Sequence, residues 1–166
     1  MNNNKINSAI NIFSFIPMSI VTFGVLSLGL FVAPTVFREI TPRPMASNLM
    51  ADIFTKFFLV AFICALITLF SEMIRFILLK KDILNKIWYA QIGSVILVTF
   101  LIGYSNFQIA PKINQMRIEQ KGPTLWTNTD FVSLHKQSEA FAKAAFLFGL
   151  IPLVIMVSFQ YKKEQS

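Results

Sequence analysis

The stretch INIFSFIPMSIVTFGVLSLGLFVAPTVF, residues 10–37, carries no charged side chain in 28 positions. A helix needs about 20 apolar residues, each rising 1.5 Å, to cross roughly 30 Å of hydrocarbon. This run is long enough with turns to spare. A cleaved signal peptide has an apolar core of only about 7–15 residues behind a basic start. Here Lys5 is the only basic residue ahead of the run, so it reads as a retained span. Pro17 falls in its first turns, where a helix tolerates proline best, and Pro34 is expected to kink or end it.

Three more apolar runs follow: FFLVAFICALITLFSEMIRFILL (57–79), IWYAQIGSVILVTFLIGYSNFQIA (87–110) and AAFLFGLIPLVIMVSF (144–159). With their flanks they predict spans at 10–37, 53–79, 87–110 and 140–160 in a single domain, 1–166. The whole chain agrees: 55% of it is hydrophobic and 14% charged, against about 45–50% and roughly 25% in ordinary soluble domains. A lipid bilayer is the natural partner for that excess of apolar surface. The net charge of +7 does not point to nucleic acid, because Lys and Arg lie between apolar runs with no basic stretch interleaved with aromatics. Cys64 is the only cysteine, so no intramolecular disulfide or CxxC site exists, and its mid-span place suits a small apolar residue.

Helical patterning continues past the membrane. Before the second span, Met45, Leu49 and Ile53 share a face, with Asp52 and Lys56 paired one turn apart on another. After the third, Ile109, Ile113 and Met116 keep register. Before the fourth, Phe131, Leu134 and Phe141 alternate with Lys136, Glu139 and Lys143, and Asn128, Thr129 or Asp130 caps the helix. Met45 to Leu79 alone would make roughly 52 Å of helix. The expected fold is therefore all-α: a left-handed, up-down-up-down four-helix bundle with helices two to four extending beyond the bilayer as a crown, on the side of the 1–2 and 3–4 loops. No internal repeat or second domain is visible. The tail side carries Lys5, Arg75, Lys80, Lys81, Lys86, Lys162 and Lys163, close to the spans. The crown carries Arg38, Arg43, Lys56, Lys112, Arg117, Lys121, Lys136 and Lys143. The closer flanking on the tail side favours both termini in the cytoplasm, across a cell inner membrane.

The chain has no Gly-rich phosphate loop, GxSxG elbow or HExxH pair, which argues against a conventional hydrolase or nucleotide enzyme. Candidate chemistry rests on a few polar residues. His135, the only histidine, shares a stripe with Phe131, Ser138, Ala142, Ala145, Gly149 and Pro152. The small residues below it invite a neighbouring helix, so His135 and Ser138 are expected to face the crown's interior. A structural hydrogen bond and a ligand-binding, proton-transfer or pH-sensing role both fit an imidazole there. Gly29 and Ala33 make a small-xxx-small pair leading to Pro34, with Arg38 and Glu39 beyond; Arg38 suits an interfacial anchor or an anion site. Asn106 and Gln108 need partners in hydrocarbon, so they should face the bundle or water, placed to line a crown-side cavity with His135 or to bond between helices. Glu72 and Arg75 form an intramembrane pair one turn apart, with Glu72 eight residues inside Lys80, roughly 12 Å deep. Such charges are functional candidates by default, although Arg75 is free to snorkel.

Together, LFVAPTVF, APKINQMR and FVSLHKQSEAF resemble a family of small four-span proteins, a domain of unknown function that includes transmembrane protein 205. The family is distantly similar to anthrone-oxygenase-like membrane proteins. The resemblance implies that Pro34, Phe37, Pro111, Arg117, Phe131, His135 and Ser138 belong to a shared crown, and it suggests traffic of small molecules. The resemblance leaves the cofactor unknown, with haem or a metal at His135 belonging to the oxidoreductase reading. Three readings remain. The first is a protein that binds or helps move a small molecule or ion among His135, Ser138, Arg38, Pro34, Asn106, Gln108 and Arg117. The second is a structural subunit docking a membrane-protein partner or a second copy. The third is a membrane oxidoreductase using His135.

Overall fold

The first helix, α1, is Asn3–Ser27. It passes through a five-residue π-turn, Leu28–Val32, into α2, Ala33–Glu39. Next come α3, Arg43–Ile83, and α4, Lys86–Tyr104. A second π-turn, Ser105–Ile109, leads into α5, Ala110–Glu119, and α6 is Thr129–Glu164. These elements make four rods: α1–α2, α3, α4–α5 and α6. The structure, a computed structural model, describes residues 3–83, 86–119 and 127–164. All four rods are long and apolar enough to cross a membrane, and no strand occurs among the described residues. Helix is what an apolar solvent demands, since it satisfies every backbone group within one segment. Asn128 starts the last rod: its Oδ1 accepts the Asp130 N–H at 2.9 Å and the Phe131 N–H at 3.2 Å, the geometry of an N-cap.

Rods one and three each pack against rods two and four. Asn11, Ser14 and Gly24 of rod one meet Arg75, Glu72 and Phe57 of rod two. Trp88 and Gly103 of rod three meet Phe76 and Phe62 of the same helix. Between them lies a core that includes Met18, Val21, Ala61, Ala65, Val98 and Ile102. Phe13, Phe31, Phe70, Ile77 and Phe100 point outward, each more than half exposed. That apolar outer surface suits lipid.

Length departs from expectation in one respect. The 41 residues of α3 and 36 of α6 give about 61 and 54 Å. Rod one, expected to be a plain span, is comparably long, with Asn7–Glu39 contributing 33 residues. It begins a turn or more before its apolar run, and Pro17 therefore lies inside α1 rather than in its first turns. Pro34 does not end the rod either. Ahead of it the Ala33 N–H bonds the Leu28 carbonyl, five residues back. The widened turn makes room for a proline that can neither donate nor tolerate a close carbonyl.

The same turn changes which residue faces inward. Leu28 is buried, while Gly29 is exposed and a Cβ added there would meet nothing within 4 Å. The small-xxx-small contact expected of Gly29 and Ala33 is not made within the chain. The tight approaches lie elsewhere. A Cβ on Gly149 would sit 2.5 Å from Thr22 Oγ1 and 3.2 Å from Met18 Cε, both in side chains with no exposure. Gly149→Ala should therefore lower stability by about 1–3 kcal/mol through overpacking. Gly93→Ala, which meets nothing within 4 Å, should be neutral or stabilise by up to about 1 kcal/mol. Denaturant unfolding in micelles checks the pair; equal effects would contradict the packing.

Candidate functional site

The face of α3 that meets rod one runs Ala61, Ala65, Thr68, Glu72, Arg75, at steps of three or four. The small residues bring rod one close, and the charges follow where that contact is tight. Glu72 has no exposed surface and Arg75 only 5%. Arg75 Nη1 lies 3.3 Å from Glu72 Oε2. Ser14 Oγ donates to the other carboxylate oxygen, Oε1, at 2.9 Å. Arg75 donates through Nη2 to Asn11 Oδ1. Thr68 Oγ1 donates to the Cys64 carbonyl at 3.1 Å and the Ser14 carbonyl at 3.3 Å. From rod three, Trp88 and Gln91 stand close enough to act on the Glu72 carboxylate, although Gln91 Nε2 and Glu72 Oε2 close no hydrogen bond, and Trp88 stacks on Phe76 at 5.4 Å between centroids. One carboxylate is thus paired from rods one and two, with rod three alongside. Arg75 is free by its length to snorkel, but here it turns inward to Glu72 and the Asn11 acceptor. Beside this network an apolar groove of about 820 Å³ opens between rods one and two, lined by residues that include Ile10, Phe13, Phe70 and Ile74.

The second polar group lies at the crown. Phe131 is fully buried beside Ile109 and Ile113. The Arg117 guanidinium stands 5.7 Å from its ring centroid, and the His135 ring stacks on it at 6.1 Å with an interplanar angle of 3°. Arg117 Nη1 donates to the Ser47 carbonyl at 3.0 Å, tying rod three to rod two, and Asp52 also acts on that guanidinium. His135 Nε2 lies 3.3 Å from Glu139 Oε1, and Lys143 Nζ lies 3.7 Å from Glu139 Oε2. The imidazole therefore sits within reach of a carboxylate and a guanidinium, with 37% of its side chain exposed. The expected inward orientation is met by one ring face only. Ser138 is half-buried on the same side.

The other candidates do not converge. Arg38 is exposed and bonds its neighbour Glu39 at 2.7 Å. Pro34 and Gln108 are exposed, and Gln108 joins no cavity with His135. Asn106 and Gln108 stand two residues apart, so a helix cannot turn both inward. Asn106 takes the inward place, 8% exposed, and its Oδ1 has no hydrogen-bond partner. Arg75 is withdrawn from the tail-side charges by its burial. The side chains of Lys5, Lys80, Lys81, Lys121, Lys162 and Lys163 lie outside the described residues. Among those residues no three His, Cys, Asp or Glu side chains gather as metal ligands would. Sequence reasoning missed Asn11, Ser14, Trp88 and Gln91. The available signal was a polar group inside an uncharged run, since such a group must find a partner within the protein.

Residues 19–122 match the family model described as a domain of unknown function, DUF4149. The chain belongs to the DUF4149 family. No curated protein and no solved structure matches it. The DUF4149 region takes in both π-turns, Glu72, Arg75, Gln91 and Arg117, whereas Asn11, Ser14 and all of α6 with His135 lie beyond it.

Removing one partner of a buried pair leaves the other charge uncompensated, at about 3–5 kcal/mol. Glu72→Ala should destabilise this DUF4149 protein by that order in micelle unfolding. Replacing both, Glu72→Leu with Arg75→Met, should recover most of the loss. A double variant as unstable as the single would mean that something other than pairing holds the site.

Proposed function

We propose that this DUF4149 protein is a multi-pass integral membrane protein that binds, and helps move, a small ion or polar ligand, with Glu72 and Arg75 as its working pair. The observation that carries this reading is a carboxylate of zero exposure inside the apolar run of a membrane-spanning helix. Charge at that depth costs about 2.5–3.5 kcal/mol per residue on insertion scales and is kept chiefly where it handles ions, protons or ligands. The frame is an up-down-up-down four-helix bundle. It is supported by the contacts of rods one and three with rod two, which descend one helix as they ascend the other. Overhang beyond the bilayer follows from the rod lengths, and both termini face the cytoplasm of an inner-membrane protein on the placement of the basic residues. The resemblance to transmembrane protein 205-like proteins belongs to the same reading, since it points to small-molecule traffic. At the crown, Arg117, Phe131, His135 and Ser138 make the auxiliary polar end.

A structural reading has its own support, because the pair is met from within the chain by Ser14 and Asn11. Proteoliposomes separate the two. With a trapped pH-sensitive dye, and with imposed proton, sodium or potassium gradients, the wild type should dissipate at least one gradient. Glu72→Gln, which keeps the shape and removes the charge, should slow that flux at least tenfold while helicity is unchanged. Absence of flux in the wild type, or equal flux in the variant, would hand the site to the structural reading.

A further inference from the structure

The two π-turns occupy equivalent places. The shift along the chain that carries Leu28 onto Ser105 also carries Ala33-Pro34 onto Ala110-Pro111. It carries Asn11, Ser14, Met18, Val21 and Thr22 onto Trp88, Gln91, Val95, Val98 and Thr99, and all ten of these residues are buried. Rods one and three each pack against rods two and four. Rods one and three therefore carry their interruptions and buried positions in matching places, although no repeat is visible in residue identity. In membrane proteins built from repeats, interrupted segments at corresponding places in the two halves mark the binding site.

The chemistry of these interruptions is unequal. In each turn an alanine N–H bonds five residues back, Ala33 to the Leu28 carbonyl and Ala110 to the Ser105 carbonyl. The following carbonyls, of Gly29 and Asn106, would take the same alanine in an α-helix or the next residue in a π-helix. The alanine is engaged and the next residue is a proline with no N–H. Both carbonyls thus lose their helical donors. At Gly29 the turn faces outward with no side-chain oxygen. At Asn106 it faces inward and adds two more oxygens, Asn106 Oδ1 and Ser105 Oγ. Neither has a hydrogen-bond partner, and the two residues are 8% and 3% exposed. Three neutral oxygens on adjacent residues, two of them carbonyls with no proton to give, are the ligands that alkali-metal cations take from broken membrane helices. Divalent ions favour carboxylates, and none is bonded here. Arg117 lies about 16 Å further along the rod, its guanidinium engaged with Phe131 and the Ser47 carbonyl.

We propose that the Ser105–Asn106 turn is a binding site for an alkali-metal cation, sodium or potassium, held by the two Asn106 carbonyls and the Ser105 hydroxyl. The site stands about 22 Å along the rod from Gln91 and the Glu72 network, and does not depend on what that network does.

The test uses the full chain in lipid nanodiscs at constant ionic strength, with choline chloride exchanged for sodium or potassium chloride. The melting temperature should rise saturably with one of the two by about 3–6 °C, as expected for a ligand at ten times its Kd in a chain of this size. Asn106→Leu should abolish the rise, and Gln108→Ala, on the exposed side of the same turn, should keep it. If Asn106→Leu fails to fold, Ser105→Ala is read instead, with an apparent affinity weakened at least fivefold. No difference among the three salts, a response that persists in Asn106→Leu, or an unchanged affinity in Ser105→Ala would each overturn the site.

Discussion

The Glu72 carboxylate must be met by donors before rods one, two and three can rest together in hydrocarbon. Its partners set the geometry around it. Ser14 fixes the height of rod one against rod two, and Arg75 with Asn11 fixes it a turn further along. Trp88 and Gln91 of rod three stand beside the same carboxylate. Apolar packing alone gives little such registration, because lipid tails are as apolar as the side chains they replace. A directional group of high desolvation cost supplies it, and the small residues Ala61, Ala65 and Gly149 then allow close approach.

The helix interruptions do complementary work toward the other end. Prolines 34 and 111 lie just past π-turns that absorb the missing N–H and let each rod continue. In rod one the interruption faces outward beside apolar residues. In rod three it faces inward, where it leaves oxygens without donors. A common backbone device thus acquires different chemistry from the side chains it carries.

This division explains what the sequence disclosed. The four long apolar helices were legible because 28 uncharged residues, and three further apolar runs, admit little else. Glu72 and Arg75 were legible because charge inside such a run is conspicuous. Asn128 was among the expected caps, and the small face of α6 at Ala145 and Gly149 packs as its spacing predicts. Gly29 was misplaced because a strict 3.6-residue period was carried through a segment that the chain winds as a π-turn, and Asn106 and Gln108, two residues apart, do not face one cavity. The partners of Glu72 were hidden differently. Asn11 and Ser14 are ordinary residues in their own helix, and only the pairing of rods one and two gives them a carboxylate to serve. His135 drew notice by being alone, yet it shares its surroundings with Arg117 and Glu139 and stays partly open.

Whether the Glu72 carboxylate couples rod one to rod three is tested most directly by a double-mutant cycle. Ser14→Ala and Gln91→Ala, singly and together, would be compared by unfolding in micelles. Ser14 bonds the carboxylate and Gln91 lies beside it from the other rod, so their effects should be coupled, with an interaction energy of about 0.5–3 kcal/mol. Effects that add to within about 0.5 kcal/mol, as for independent sites, would mean that no shared carboxylate joins the rods and would contradict the account.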